Sequence, residues 1–192
     1  MSVIGILLAG GQSRRMGEDK ATLLFNRVSM LERQRGLLEP LCDLTLVSRN
    51  EDGCIKDTHV GMGPLAGIHS CLKTALNDPV GLEVKQVLII AVDMPLLTTQ
   101  LLARLLQTSK ELKQNVHYAD QPFPIVISEP TRALELLEKM LKDDQRMVGT
   151  FLDKLGVIST EVADDHQLLN ANTPFQWKLA QKQWQQDQRS AD

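Results

Sequence analysis

The feature that most constrains this fold is an apolar run, residues 3–9, that leads directly into Gly10 and Gly11. Such a run is typical of a strand buried on both faces of a parallel sheet. A second one, residues 87–92, ends at Asp93. Between them, Pro64 follows Gly63 as the first residue of a predicted amphipathic helix. Strands and helices in alternation predict an α/β protein with a three-layer α/β/α, Rossmann-like fold and a mostly parallel sheet.

The remaining elements follow the same signals. Strands are predicted at residues 44–47, 116–119, 124–127 and 157–160. Helices are predicted at 30–38, around 101–106, over residues 134–141 with Thr131 as their cap, and around 148–155. Thr173, Pro174 and Gln176 form a capping box that begins a last helix, whose end, residues 186–192, is expected to fray. Because no repeat or linker interrupts the pattern, residues 1–192 are predicted to form one domain.

Composition narrows the functional class. The chain is 43% hydrophobic and 23% charged, as in globular domains, and its net charge of -3 argues against binding to duplex DNA or a membrane surface. No apolar stretch approaches the roughly 20 residues of a membrane helix, and residues 3–9 have no basic leader. Three scattered cysteines are expected to be reduced thiols, and four histidines without ligand spacing make zinc improbable. We therefore expect a soluble, cytoplasmic protein.

Three motifs are predicted to meet at one edge of the sheet, because ligands of such sheets bind at the carboxyl ends of the strands. They are residues 9–20, Asp93 and residues 170–173. In the first, paired glycines let backbone N–H groups approach a phosphate, and Arg15 and Lys20 add positive charge. It is neither a Walker A loop nor a dinucleotide fingerprint, and the glycine pair alone would also fit a basic surface turn.

Asp93 is a candidate ligand of Mg²⁺, which prefers hard oxygen donors. The alternative is an N-cap of the next helix, but Pro95 and Leu96 delay that helix. Asn170 and Asn172 precede a helix start, where free N–H groups favour an anion. Their alternative role is to cap that helix.

The whole first loop resembles the signature of the molybdenum cofactor guanylyltransferases, in the nucleotide-diphospho-sugar transferase-like superfamily. The matching residues are Leu8-Ala9-Gly10-Gly11-x-Ser13-Arg14-Arg15-Met16-Gly17-x-Asp19-Lys20, then Asp57, Gly63-Pro64-Leu65-Ala66-Gly67, Asp93-Met94-Pro95 and Asn170-x-Asn172-Thr173-Pro174. The resemblance implies an enzyme that uses Mg²⁺ and transfers GMP from GTP to molybdopterin, giving molybdopterin guanine dinucleotide and pyrophosphate. It also implies partners among molybdoenzyme-specific chaperones or cofactor-synthesis proteins, with no role for nucleic acid or membrane.

The resemblance also implies a role for individual residues. GTP would be bound by Leu8, Ala9, Gly10, Gly11, Lys20, Asn50, Asp57 and Asp93; molybdopterin by Arg15, Arg146, Asn170 and Asn172; Mg²⁺ by Asp93; and Lys20, Asp93 and Arg15 would be catalytic. Asp57 suits guanine, whose N1–H and N2–H donors a carboxylate can accept together. From the residues alone, a solvated loop acid is the favoured interpretation of Asp57.

Other functions stay open at the level of sequence. A related cytidylyltransferase or sugar-phosphate nucleotidyltransferase is one alternative, although Gly10 and the Asp19-Lys20 pair favour GTP within the resemblance. Another is a non-catalytic adaptor that binds molybdopterin on the same fold. The presence of both Lys20 and Asp93 argues against an adaptor, since simple binding needs no metal carboxylate.

Overall fold

The computed structural model describes residues 2–10, 18–77 and 83–191. The strands are β1 (Ser2–Leu8), β2 (Leu24–Phe25), β3 (Val28–Ser29), β4 (Leu44–Ser48), β5 (Val84–Ala91), β6 (Val116–Tyr118), β7 (Ile125–Ile127) and β8 (Ile158–Thr160). The helices are α1 (Met30–Leu38), α2 (Pro64–Leu76), α3 (Thr99–Leu112), α4 (Pro130–Lys142), α5 (Val148–Leu155) and α6 (Pro174–Ala191), with a 3₁₀ turn at Asp165–Leu168.

In the part of the chain that the structure describes, six strands form one sheet in the order β4-β1-β5-β7-β6-β8, and β2 and β3 form a separate hairpin. The pairs β1–β4, β1–β5 and β6–β8 are parallel, whereas β7 is antiparallel to both of its neighbours. The predicted mostly parallel sheet is thus confirmed. β7 departs from it because the short connection from β6 is too short for a parallel crossover, which needs a dozen or more residues.

Helices cover both faces of the sheet. A Cβ added to Gly5 of β1 would lie 3.3 Å from Leu38 of α1, and one added to Gly67 of α2 would lie 3.2 Å from Leu8. Residues 5 and 8 point to opposite faces, because successive strand residues alternate. α1 and α2 therefore pack on opposite sides of β1, and the predicted three-layer architecture is confirmed.

One predicted helix start differs from the structure. α4 begins at Pro130 after Glu129, so Thr131 lies in its first turn and is not the cap. Proline at the first helical position explains this start, since its missing N–H has no helical partner to lose. α6 runs to Ala191, and the fraying expected of residues 186–192 stays a prediction. Trp184 packs edge-on against Phe25, at 6.2 Å between ring centroids, and ties this half of the helix to the β2–β3 hairpin.

Two further sequence features, the apolar stretches and the cysteines, can be compared with the structure. Within the described residues, every helix is too short or too polar to serve as a membrane span. The three cysteines are free thiols, as expected.

Candidate active site

The carboxyl ends of β4, β1 and β5 lie side by side. Leu8 pairs with Ser48 on one side and with Ala91 on the other. The backbone continues this alignment past the strands, because Ala9 N donates to Ser48 O at 3.0 Å and Val92 N donates to Leu8 O at 3.0 Å. The segments that follow these three strands therefore leave from one place, which we call the carboxyl edge.

A lysine, an aspartate and an asparagine meet at the carboxyl edge. Lys20 Nζ donates to Asp93 Oδ2 at 2.9 Å and also to Asn172 Oδ1. The side chains of Lys20 and Asp93 are 14% and 19% exposed. The backbone is joined here too, since Ala171 N donates to Asp93 O at 2.8 Å. The structure thus brings together one residue from each of the three motifs that were expected to converge.

Among the described residues, two acceptor atoms at the carboxyl edge lack hydrogen-bond partners. Within the described ranges, Asp93 Oδ1 and Asn170 Oδ1 are buried and accept no hydrogen bond. Such atoms are uncommon in proteins, because an unsatisfied buried polar group costs about 1–3 kcal/mol. Both atoms are acceptors, so they suit a cation or a hydrogen-bond donor supplied by a ligand.

The alternative capping roles of Asp93 and the asparagines can now be compared with the structure. α3 is capped by Thr98, whose hydroxyl accepts from Leu101 N at 3.2 Å, so Asp93 is not its N-cap. At α6, Thr173 Oγ1 accepts from Gln176 N at 3.2 Å. The side chain of Asn172 is bonded to Lys20 instead.

Helix α1 holds the turn that follows Asp93. Gln34 is fully buried, and its Nε2 donates to Met94 O at 2.7 Å, while Arg33 Nε donates to Pro95 O at 2.9 Å. These two bonds fix the backbone just after the carboxylate. Sequence reasoning missed both residues, although Gln34 lies four positions from Met30 and from Leu38 on the buried face of α1. A polar residue on an apolar helix face was the available signal.

Asp57 and Asn50 form a second polar group, on the β4 side of the carboxyl edge. Asp57 N donates to Asn50 Oδ1 at 2.9 Å, and Ser48 Oγ donates to Asp57 Oδ1 at 3.3 Å. Burial raises the pKa of Asp57 above its ordinary value, and the Ser48 hydrogen bond partly opposes that rise. Asp57 is therefore a half-buried, bonded carboxylate, and the interpretation as a solvated loop acid is not supported.

The glycine-rich start of α2 allows this group to form. A Cβ on Gly67 would collide with the Ser48 hydroxyl and lie 3.2 Å from Leu8. Only glycine lets the helix approach the ends of β1 and β4 this closely. The matched segment Gly63-Pro64-Leu65-Ala66-Gly67 thus has a packing role beside the site.

Arg49 is a further residue that sequence reasoning missed. Its guanidinium donates to Asp19 and to Glu51, each through Nη2 at 2.5 Å, and only 8% of its side chain is exposed. These partners, Glu51 first, raise the pKa of Arg49 above its ordinary value. No motif singled out this arginine, because its partner Asp19 is 30 positions away in sequence.

Among the described residues predicted for molybdopterin, Arg146 makes its contacts away from the two asparagines. Arg146 is exposed and donates to Asp144 Oδ1 at 2.6 Å and to Gly61 O at 3.5 Å. The contacts of the described residues do not join it to Asn170 or Asn172. Gly11 and Arg15 lie outside the described residues, so their predicted roles stay predictions.

The donor set at the carboxyl edge is compatible with magnesium. In the part of the chain that the structure describes, no group of three or more His, Cys, Asp or Glu side chains could hold a metal by itself. Mg²⁺ is commonly held by one or two carboxylates together with substrate phosphates. Asp93, whose buried Oδ1 has no partner among the described residues, has the chemistry of such a ligand.

Comparisons with known proteins bear on the family and the fold of this chain. Residues 5–157 match the family model of the MobA-like NTP transferase domain. The molybdenum cofactor guanylyltransferase of Xanthomonas euvesicatoria is 30% identical over 180 residues, covering 90% of this chain and 91% of the relative. Molybdopterin-guanine dinucleotide biosynthesis protein A of Archaeoglobus fulgidus has a TM-score of 0.77 at 20% identity, over 95% and 99% of the two chains. The 2-C-methyl-D-erythritol 4-phosphate cytidylyltransferase of Thermus thermophilus shares the fold at a TM-score of 0.65 and 15% identity, over 94% and 98%.

Proposed function

The chain belongs to the MobA-like NTP transferase family, and we propose that it transfers GMP from GTP to molybdopterin in the cytoplasm, with Mg²⁺. The products would be molybdopterin guanine dinucleotide and pyrophosphate. The observation that carries the proposal is the meeting of Lys20, Asp93 and Asn172 at the carboxyl edge. Cofactor-synthesis proteins or molybdoenzyme-specific chaperones would receive the product.

The phosphate side of the reaction relies on fixed charge. The terminal phosphate of molybdopterin attacks the α-phosphate of GTP in line, a new P–O bond forms, and the bond to pyrophosphate breaks. The nucleophile is already an anion, so no protein base is required. Lys20, the Gly10-Gly11 amides and Arg15 would stabilise the charge that develops on the phosphates. Catalysis then consists of positioning and electrostatic stabilisation.

Asp93 would hold Mg²⁺ beside these phosphates. The bound ion would neutralise phosphate charge and polarise the reacting centre. Gln34 and Arg33 keep the turn after Asp93 in place, so its carboxylate is presented from a fixed backbone. Lys20 already lies 2.9 Å from Asp93 Oδ2, within reach of a phosphate bound at the same place.

Asp57 would select the base. Its ionised carboxylate can accept N1–H and N2–H of guanine at once, while Asn50 fixes the backbone N–H of Asp57. Cytosine has no comparable pair of adjacent donors, so this site favours GTP over CTP. A cytidylyltransferase is therefore the second candidate, supported only by the shared fold.

A GMP-transfer assay with molybdopterin tests the proposal. With Mg²⁺, we expect molybdopterin guanine dinucleotide and pyrophosphate from GTP and little product from CTP. A preference for CTP would identify a cytidylyltransferase instead. Molybdopterin binding without any nucleotide binding would identify an adaptor and contradict the proposal.

A further inference from the structure

The two halves of the nucleotide site lie on different segments of the chain, and Arg49 connects them. Lys20 belongs to the segment after β1, whereas Asn50 and Asp57 belong to the segment after β4. We propose that Arg49 is a positioning residue that sets the spacing between these halves, so that both ends of GTP are bound at once. The proposal rests on the proposed function, since it requires GTP as the ligand.

On the phosphate side, Arg49 forms an ion pair with Asp19, the residue that precedes Lys20. Nη2 donates to Asp19 Oδ2 at 2.5 Å and Nη1 to Asp19 Oδ1 at 3.4 Å, so the guanidinium faces both carboxylate oxygens. Asp19 Oδ1 also accepts from Ala21 N at 3.0 Å. The Asp19 carboxylate thus fixes the backbone on both sides of Lys20.

On the guanosine side, Arg49 is anchored through its own backbone and through Glu51. Arg49 N donates to Ile55 O at 3.1 Å, and Nη2 donates to Glu51 Oε1 at 2.5 Å. Asn50 lies between these two residues, and its side chain accepts from Asp57 N. The position of Arg49 therefore determines where Asn50 and Asp57 stand relative to Lys20.

Burial makes this connection rigid. The guanidinium is largely removed from solvent, and its Nε has no partner within the described residues. If Arg49 lost Asp19, its buried charge would be incompletely compensated, which is unfavourable. The ion pair therefore holds the segment after β1 to the segment after β4 more firmly than an exposed pair would. Arg49 does not need to touch the nucleotide to have this effect.

The expected consequence is specific to a ligand that spans both halves. When two ends of one ligand bind to sites of fixed spacing, the second contact forms at a high effective concentration. If the spacing between the two halves is less fixed, GTP binds more weakly, but the affinity of a ligand that occupies only one half is unaffected. Guanosine and inorganic tripolyphosphate are such half-ligands.

The test compares the affinities of GTP, guanosine and tripolyphosphate for the full-length wild type, Arg49→Met, Arg49→Lys and Asp19→Asn. We expect Arg49→Met to weaken GTP about tenfold or more and each half-ligand less than about twofold. Arg49→Lys keeps the charge without the fork and should fall between wild type and Arg49→Met. Arg132→Met is the matched control, since it removes an exposed arginine–glutamate pair at the start of α4 and should change nothing.

Asp19→Asn keeps the test decisive if Arg49→Met does not fold, because Arg49 then retains Glu51. An equal loss for all three ligands would reduce Arg49 to a general stabilising role and overturn the proposal. Unchanged GTP affinity in both variants would overturn it as well, while leaving the proposed function intact. A wild type that binds no GTP would overturn the proposed function together with this inference.

Discussion

Asn115 and Asn170 lie in two regions that differ in whether the amide oxygen of the asparagine has a hydrogen-bond partner. Asn115, just before β6, accepts from Ser128 N at 2.8 Å and donates to Leu155 O at 3.4 Å and to Glu129 at 3.2 Å. Asn170, at the carboxyl edge, has a buried Oδ1 without a partner among the described residues, as has Asp93. The first region completes its own hydrogen bonds and supports the fold. The second leaves acceptors for a ligand, at a cost in stability that functional sites commonly carry.

The largest effect on activity is expected from substitution of Asp93. Asp93→Asn should lower GMP transfer on the order of 10²–10³-fold, because it removes a preorganised charge from the reacting centre. The amide can still accept from Lys20, but this largely buried pair loses its opposite charge, so the free energy of unfolding should also fall, by about 1–3 kcal/mol. Turnover with GTP and Mg²⁺, together with denaturant unfolding, checks both parts. Full GMP transfer by the variant would refute the role of Asp93.

A smaller functional effect is expected at Asp57. Asp57→Asn replaces an acceptor pair with one acceptor and one donor, and should weaken GTP binding by about 10–100-fold, equivalent to about 1.4–2.8 kcal/mol. Tripolyphosphate, which lacks the base, should bind as before. Calorimetric titration of both ligands measures the difference, and an equal change in the two would contradict base recognition by Asp57.

A substitution in the Asn115 region should lower stability without affecting function, unlike a substitution at the carboxyl edge. Asn115→Ala leaves Ser128 N without its acceptor and should lower the free energy of unfolding by about 1–3 kcal/mol, with the KM for GTP unchanged. The matched variant Asn170→Ala should change unfolding by less than about 0.5 kcal/mol. Denaturant unfolding of the two variants side by side compares them. Equal destabilisation would remove the distinction between the two regions.

The smallest effect concerns pH. Burial raises the pKa of Asp57, so GTP affinity should begin to fall at a higher pH on acidification than for an exposed aspartate. Stability should respond in the opposite sense, because the folded chain binds this proton more tightly than the unfolded chain. The contribution of Asp57 to stability is thus present at low pH and lost as pH rises through its folded pKa. GTP affinity and the free energy of unfolding, each measured across acidic pH for the wild type and Asp57→Asn, distinguish the two effects. If GTP affinity depended on pH in the same way in both proteins, this role of Asp57 would be contradicted.

The sequence pattern predicts most of this fold because buried strands and amphipathic helices have distinct periodicities. It also predicts the meeting of Lys20, Asp93 and Asn172, since strand ends in a parallel sheet share one edge. Arg49 and Gln34 escaped prediction because Asp19 and Met94, the residues they hold, lie 30 and 60 positions away in sequence, and such pairing depends on the three-dimensional packing. The expected grouping of Arg146 with the two asparagines came from resemblance, and the structure places Arg146 beside Gly61.

The most direct test of the carboxyl edge as the nucleotide site is a crystal structure of the protein with GTP and Mn²⁺, a substitute for Mg²⁺ with an anomalous signal. We expect the manganese peak beside Asp93, a phosphate within hydrogen-bond distance of Lys20 Nζ, and the guanine edge against Asp57. Manganese bound away from Asp93, or a guanine that does not contact Asp57, would contradict the account.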